Sequence, residues 1–105
     1  MNRMTPTIRN PAQSPEGSEA GPADSAATLA LAALGWVLED EDRATRFLSL
    51  TGLDPDGLRS GLGEPQVQAS VLEFLANHEP DMIRCAEALA VTPEELAAAG
   101  RELSA

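Results

Sequence analysis

The chain has 105 residues, seven arginines, no lysine and a formal net charge of −10. It therefore has room for one domain, and its surface is one that phosphate backbones and anionic lipids repel. One cysteine, Cys85, excludes an internal disulfide and fits a reducing compartment, expected to be the cytoplasm.

Residues 1–23 differ in kind from the rest. Pro6, Pro11, Pro15 and Pro22 are mixed with Ser, Gly, Asn and Gln, and Ile8 is the only large aliphatic residue besides two methionines. Such a stretch cannot bury enough apolar surface to offset its ordering entropy, so it reads as a disordered tail. No apolar run follows Arg3 and Arg9, so it is not read as a secretory leader. Its charges balance, Arg3 and Arg9 against Glu16 and Glu19, which leaves five arginines against fifteen carboxylates in residues 24–105.

From residue 24 onward Ala and Leu dominate and β-branched residues never cluster, which predicts an all-α fold of six short helices. The first covers about 25–38, with Asp24 or Ser25 as its cap. The second covers about 41–51, capped by Asp40 and stopped by Gly52, and the third about 55–61, capped by Asp54. The last three cover about 65–77, 80–90 and 93–103, and Pro55, Pro65, Pro80 and Pro93 each suit a first helical turn. Thr92-Pro93-Glu94-Glu95 has the spacing of a capping box. The apolar stretch from Ala26 to Leu38, about 13 residues, is too short to cross a bilayer.

Sliding the chain by 38 positions sets Leu34-Gly35-Trp36-Val37-Leu38 on Leu72-Glu73-Phe74-Leu75-Ala76, and Leu53-Asp54-Pro55 on Val91-Thr92-Pro93. Glu41 meets Glu79 and Arg46 meets Arg84. The chain then reads as two three-helix units, about 26–62 and 64–103, packed face to face with pseudo-two-fold symmetry. Each unit alone is too small to bury a core. Trp36 and Phe74 are the expected equivalent anchors, joined by Phe47, Leu48, Leu72, Leu75, Ile83, Leu89 and Leu96.

No catalytic or metal constellation is read from these residues, and no cofactor is expected. His78 and Cys85 are seven apart across a helix start, so the expectation is a helix-end histidine and a core cysteine. Asp54-Pro55-Asp56-Gly57 begins like a calcium loop, but Leu58, Arg59 and Pro65 stand where that loop needs an oxygen ligand, glycine and glutamate.

Two features stand out. The run Glu39-Asp40-Glu41-Asp42 places charge at the positive end of helix 2, with Asp42–Arg46 and Glu39–Arg43 as candidate i,i+4 pairs, and could meet a basic partner surface. Helix 1 has no polar face. It is expected at the centre of the bundle, with a leftover apolar strip as the contact or dimer site. The candidate partner-binding residues are Glu39, Asp40, Glu41, Asp42, Leu31 and Trp36.

Ala33-Leu34-Gly35-Trp36-Val37-Leu38, then Arg46-Phe47-Leu48-Ser49-Leu50-Thr51-Gly52-Leu53-Asp54-Pro55-Asp56-Gly57-Leu58-Arg59, then Val71-Leu72-Glu73-Phe74-Leu75 resembles a family of short bacterial proteins catalogued only as a domain of unknown function. The resemblance covers about residues 26–100 and leaves the tail outside. It implies a compact helical bacterial protein and brings no activity, cofactor or catalytic residue.

The expected function is thus a small non-enzymatic interaction or regulatory module with an unknown protein partner, basic in character, and with no direct contact to nucleic acid or membrane. An acidic nucleic-acid mimic is the alternative. An enzyme built on Cys85 and His78 is the third reading.

Overall fold

The structure, a computed structural model, describes residues 22–105, with side chains from residue 25 onward. The tail expected over 1–23 lies outside the described residues except for its last two positions. Six helices follow: α1 Pro22–Leu38, α2 Glu41–Thr51, α3 Pro55–Ser60, α4 Pro65–Ala76, α5 Glu79–Leu89 and α6 Pro93–Ser104. No strand occurs among the described residues, and the fold is all-α.

Local chemistry sets most of the boundaries. Asp40 caps α2 by accepting from the Asp42 N–H, Asp54 caps α3 through the Gly57 N–H, and Thr92 caps α6 through the Glu95 N–H. At α6 the Glu95 carboxylate also accepts from the Thr92 N–H at 2.8 Å, which completes the capping box. Gly52 ends α2 in the left-handed region at φ 75, while Ala90 takes the same role after α5 at φ 59. Helix α1 starts at Pro22, three residues before its sequence-based start, because proline's fixed φ fits a first turn as well as it fits a tail.

The core is one cluster in which α6 packs against both α4 and α1, and α1 also packs on α4. On α1 the buried residues are Leu34 and, along one face, Ala26, Ala30, Ala33 and Val37. The residues of that face recur every three or four positions, and their small size lets neighbouring helices come close. Phe47, Leu72, Leu75, Leu96, Val71 and Cys85 fill the interior. Phe47 meets Phe74 edge to face, with centroids 5.4 Å apart and planes at 80°.

The packing does not confirm the two-unit symmetry. Proline follows a side-chain cap at both Asp54-Pro55 and Thr92-Pro93, as expected. However, α6 is a full helix packed on α1 and α4, whereas α3 is a six-residue helix with no comparable neighbour. Phe74 is paired with Phe47, and Trp36 is only half-buried. Ile83 is 43% exposed and is not a core residue, because α5 turns Asp81, Met82, Cys85 and Ala86 inward and leaves 83 on the outer side.

Candidate functional site

The helical repeat divides the apolar surface of α1 into stripes. At about 100° per residue, Leu31, Leu34, Gly35 and Leu38 share one side of the helix, roughly 120° from the side that Ala26, Ala30, Ala33 and Val37 bury. The second stripe forms the core contact, together with the buried Leu34. The first lines a groove of about 510 Å³, closed on the other side by Leu48 of α2, by Pro55, Leu58 and Arg59 of α3, and by Leu62. Leu31 remains 40% exposed there and Leu38 44%. From Leu29 onward helix α1 is apolar all round because it has two apolar neighbourhoods, a core and a groove.

The far wall is held firmly. The buried Gln68 side chain donates to the Leu62 carbonyl at 2.8 Å, which fixes the short connection between α3 and α4. A Cβ at Gly61 would come within 2.8 Å of Val67 Cγ2, so the same connection requires a residue without one. Gly35 is of another kind. It sits inside α1, lines the groove, has no positive φ, and would meet nothing within 4 Å if it carried a Cβ.

The acidic turn follows directly on Leu38. Glu39, Asp40, Glu41 and Asp42 are all exposed. Asp40 caps α2 and pairs with Arg43 at 3.5 Å, while Glu39, Glu41 and Asp42 make no ion pair among the described residues. The expected Glu39–Arg43 and Asp42–Arg46 pairs are therefore not formed. Arg43 instead lies over the Trp36 ring, 3.6 Å from its centroid, and donates to the Trp36 carbonyl. Arg46 turns away and donates to Asp81 of α5. Asp54 and Asp56 flank the groove residue Pro55 in the chain, and Asp56 pairs with Arg59, which also lines the groove, at 2.8 Å.

Of the six candidate partner residues, the structure brings Leu31 into the groove, while the four carboxylates follow Leu38 in the chain and do not line it. Trp36 is elsewhere on α1, beneath Arg43. Gly35, Leu38, Leu48, Pro55, Leu58 and Leu62 were not among the candidate partner residues read from the sequence. The 31-34-35-38 spacing carried the signal for the α1 side, hidden because every neighbouring position is apolar too.

Cys85 lies wholly in the core and hydrogen-bonds to no residue in the described region. Burial pushes its thiol up from 9.0 to about 11, with Asp81 adding to the rise and Arg43 opposing it. An activated nucleophile needs the reverse, an accessible thiol with a lowered pKa. His78 is half-exposed, with Nε2 3.8 Å from Asp81 Oδ2, and precedes α5 as its N-cap rather than ending α4. Among the described residues no three His, Cys, Asp or Glu side chains stand together to hold a metal ion, and no helix is long and apolar enough to cross a membrane. A second groove, between α2 and α4, is lined by Arg46, Thr51, Phe74 and His78, but its guanidinium is engaged by Asp81 and its Thr51 hydroxyl by the Phe47 carbonyl.

Fold and site together define a small all-α protein with an apolar surface groove set beside a carboxylate-rich turn. Residues 23–105 match the family described as Protein of unknown function (DUF3572), and the chain belongs to that family. No curated protein and no solved structure matches it.

Proposed function

We propose that the chain is a non-enzymatic interaction module whose groove between α1 and α3 receives an amphipathic helical segment of a basic protein partner. The observation that carries this reading is Gly35. Glycine inside a helix costs about 1 kcal/mol relative to alanine. Here neither a positive φ nor a close neighbour requires it, yet it lines the groove, where it lets another backbone approach. The leucines around it supply the apolar contact. The unpaired, exposed Glu39, Glu41 and Asp42, which follow the groove residue Leu38 in the chain, favour lysine and arginine on the incoming segment and repel acidic ones.

The test is a methyl NMR titration of the full chain with a short leucine–lysine amphipathic peptide, alongside its leucine–glutamate counterpart. The expected outcome is saturable shifts confined to Leu31, Leu34, Leu38, Leu58 and Leu62 with the basic peptide only, lost in Leu31→Asp. Shifts spread over the surface, or equal binding of both peptides, would overturn the reading.

A further inference from the structure

The groove between α2 and α4, about 670 Å³, carries charged and apolar groups that the fold leaves partly unused. Leu50, Leu53, Val67 and Phe74 give it an apolar lining. Leu50 is 72% exposed there, the most of any large apolar side chain among the described residues. Arg46 lines the groove as well. The buried Asp81 takes one of its N–H groups, and its guanidinium carbon lies 5.2 Å from the Phe74 ring centroid. A guanidinium holds five N–H donors in a rigid plane, so these two contacts orient the group and leave most of its donors open. The Arg46 side chain is 43% exposed.

Across the groove, Glu73 and Asn77 of its α4 side are exposed and make no side-chain hydrogen bond or ion pair among the described residues. They stand one helical turn apart, which sets their Cβ atoms about 5–6 Å from each other on one face. Glu73 offers a charged acceptor, and Asn77 an amide that donates. Charge decides what such a site takes. The charges of Arg46 and Asp81 offset each other, while Glu73 has no counterion. A simple anion would meet the uncompensated Glu73, and a simple cation would leave the open guanidinium donors unused. A zwitterion satisfies both.

We propose that the α2–α4 groove binds a small zwitterion of the α-amino acid class with an aliphatic side chain, a function separate from that of the α1–α3 groove. Its carboxylate takes the open N–H groups of Arg46 and the Asn77 amide, its ammonium pairs with Glu73, and its side chain packs on Leu50, Leu53 and Val67. The ammonium nitrogen and carboxylate carbon of an α-amino acid are joined through a single carbon. One head group therefore reaches two partners a helical turn apart, with a charge-assisted hydrogen bond of about 2.8 Å to each. Molecules that have lost either charge forgo one of these partners and bind less well.

The test is a methyl and amide NMR titration of the full chain with L-leucine, N-acetyl-leucine and leucinamide. The last two keep the side chain and lose one charge each. The expected result is saturable shifts with leucine at Leu50, Leu53, Val67 and the Asn77 side-chain amide, and binding of either derivative weaker by about fivefold or more. Glu73→Gln, at an exposed position without an ion pair, should weaken leucine to a similar degree and leave N-acetyl-leucine no weaker. Asn77→Ala probes the carboxylate end without disturbing the Arg46–Asp81 pair, and should weaken leucine and N-acetyl-leucine but not leucinamide. The proposal is overturned by an absence of saturable shifts with leucine, by equal binding of the three compounds, or by shifts centred on Leu31 and Leu38 instead. Unchanged leucine affinity in either variant overturns it too.

Discussion

Arg46 of α2 and Asp81 of α5, thirty-five positions apart in sequence, are joined by a hydrogen-bonded ion pair. The Asp81 side chain is nearly buried and that of Arg46 is 43% exposed, so the pair brings a carboxylate into the protein and keeps its counterion at the surface. Arg46 also lies 5.2 Å from the centroid of the Phe74 ring, and this one contact ties α2 to both α4 and α5. Removing the arginine leaves a buried charge without its main partner, with only His78 nearby when that residue is protonated. Losing one partner of a fully buried pair costs about 3–5 kcal/mol, and the exposed guanidinium reduces this. Arg46→Gln is expected to destabilise the fold by about 1–3 kcal/mol, and Asp81→Asn by less, since an amide still accepts a hydrogen bond. Urea denaturation measures both. If neither variant shifts the midpoint, the pair does not have this role.

The Cys85 thiol gives stability a dependence on alkaline pH. Burial raises its folded pKa to about 11, above the value of 9.0 for an exposed thiol. Between these values the unfolded chain gives up the thiol proton and the folded chain keeps it, so stability falls as pH rises. The contribution is intact below about pH 9 and lost above about pH 11, on the order of 2–3 kcal/mol in all. Cys85→Ala should flatten that part of the pH–stability profile. In the parent protein at neutral pH, a thiol reagent should react only after denaturant is added, and rapid reaction of the native chain would contradict the buried placement.

At α6, the Thr92 hydroxyl accepts from the Glu95 N–H at 3.1 Å, and the helix that it starts supplies Leu96 and Ala99 to the core. Thr92→Ala is expected to cost about 1 kcal/mol, and Thr92→Ser much less because the hydroxyl stays. Equal midpoints for Thr92→Ala and Thr92→Ser in thermal denaturation would show that the cap adds nothing.

Local rules made these caps legible in the sequence. Asp40, Asp54 and Thr92 cap where a short-range pattern says they should, because a cap involves residues only two or three positions apart. Arg46 and Asp81 could not be paired in the same way, since nothing local distinguishes Asp81 from the nearer Asp42. The repeat equated Trp36 with Phe74 because aromatic matched aromatic in sequence, whereas Phe74 is buried and Trp36 packs half-buried against the core with Arg43 over its ring. The groove was hidden for a related reason. In an all-apolar helix, periodicity cannot separate a buried stripe from an open one, and only the placement of α3 and Leu62 does so.

Gly35 sets helix stability and groove function against each other, so its substitution separates them. A methyl at this position meets no atom within 4 Å, and the residue has ordinary helical φ, so Gly35→Ala should simply gain helix propensity. The expected result is stabilisation by about 1 kcal/mol, read as a higher urea midpoint with an unchanged slope. The same methyl adds bulk to the groove lining and should weaken the leucine–lysine peptide several-fold. Gly35→Leu, whose side chain fills more of the groove, should abolish peptide binding while leaving the core untouched. A glycine without a function would give stabilisation with no loss of binding. Stabilisation accompanied by graded loss from glycine to alanine to leucine is what an open backbone approach requires, because only the incoming segment competes for that space.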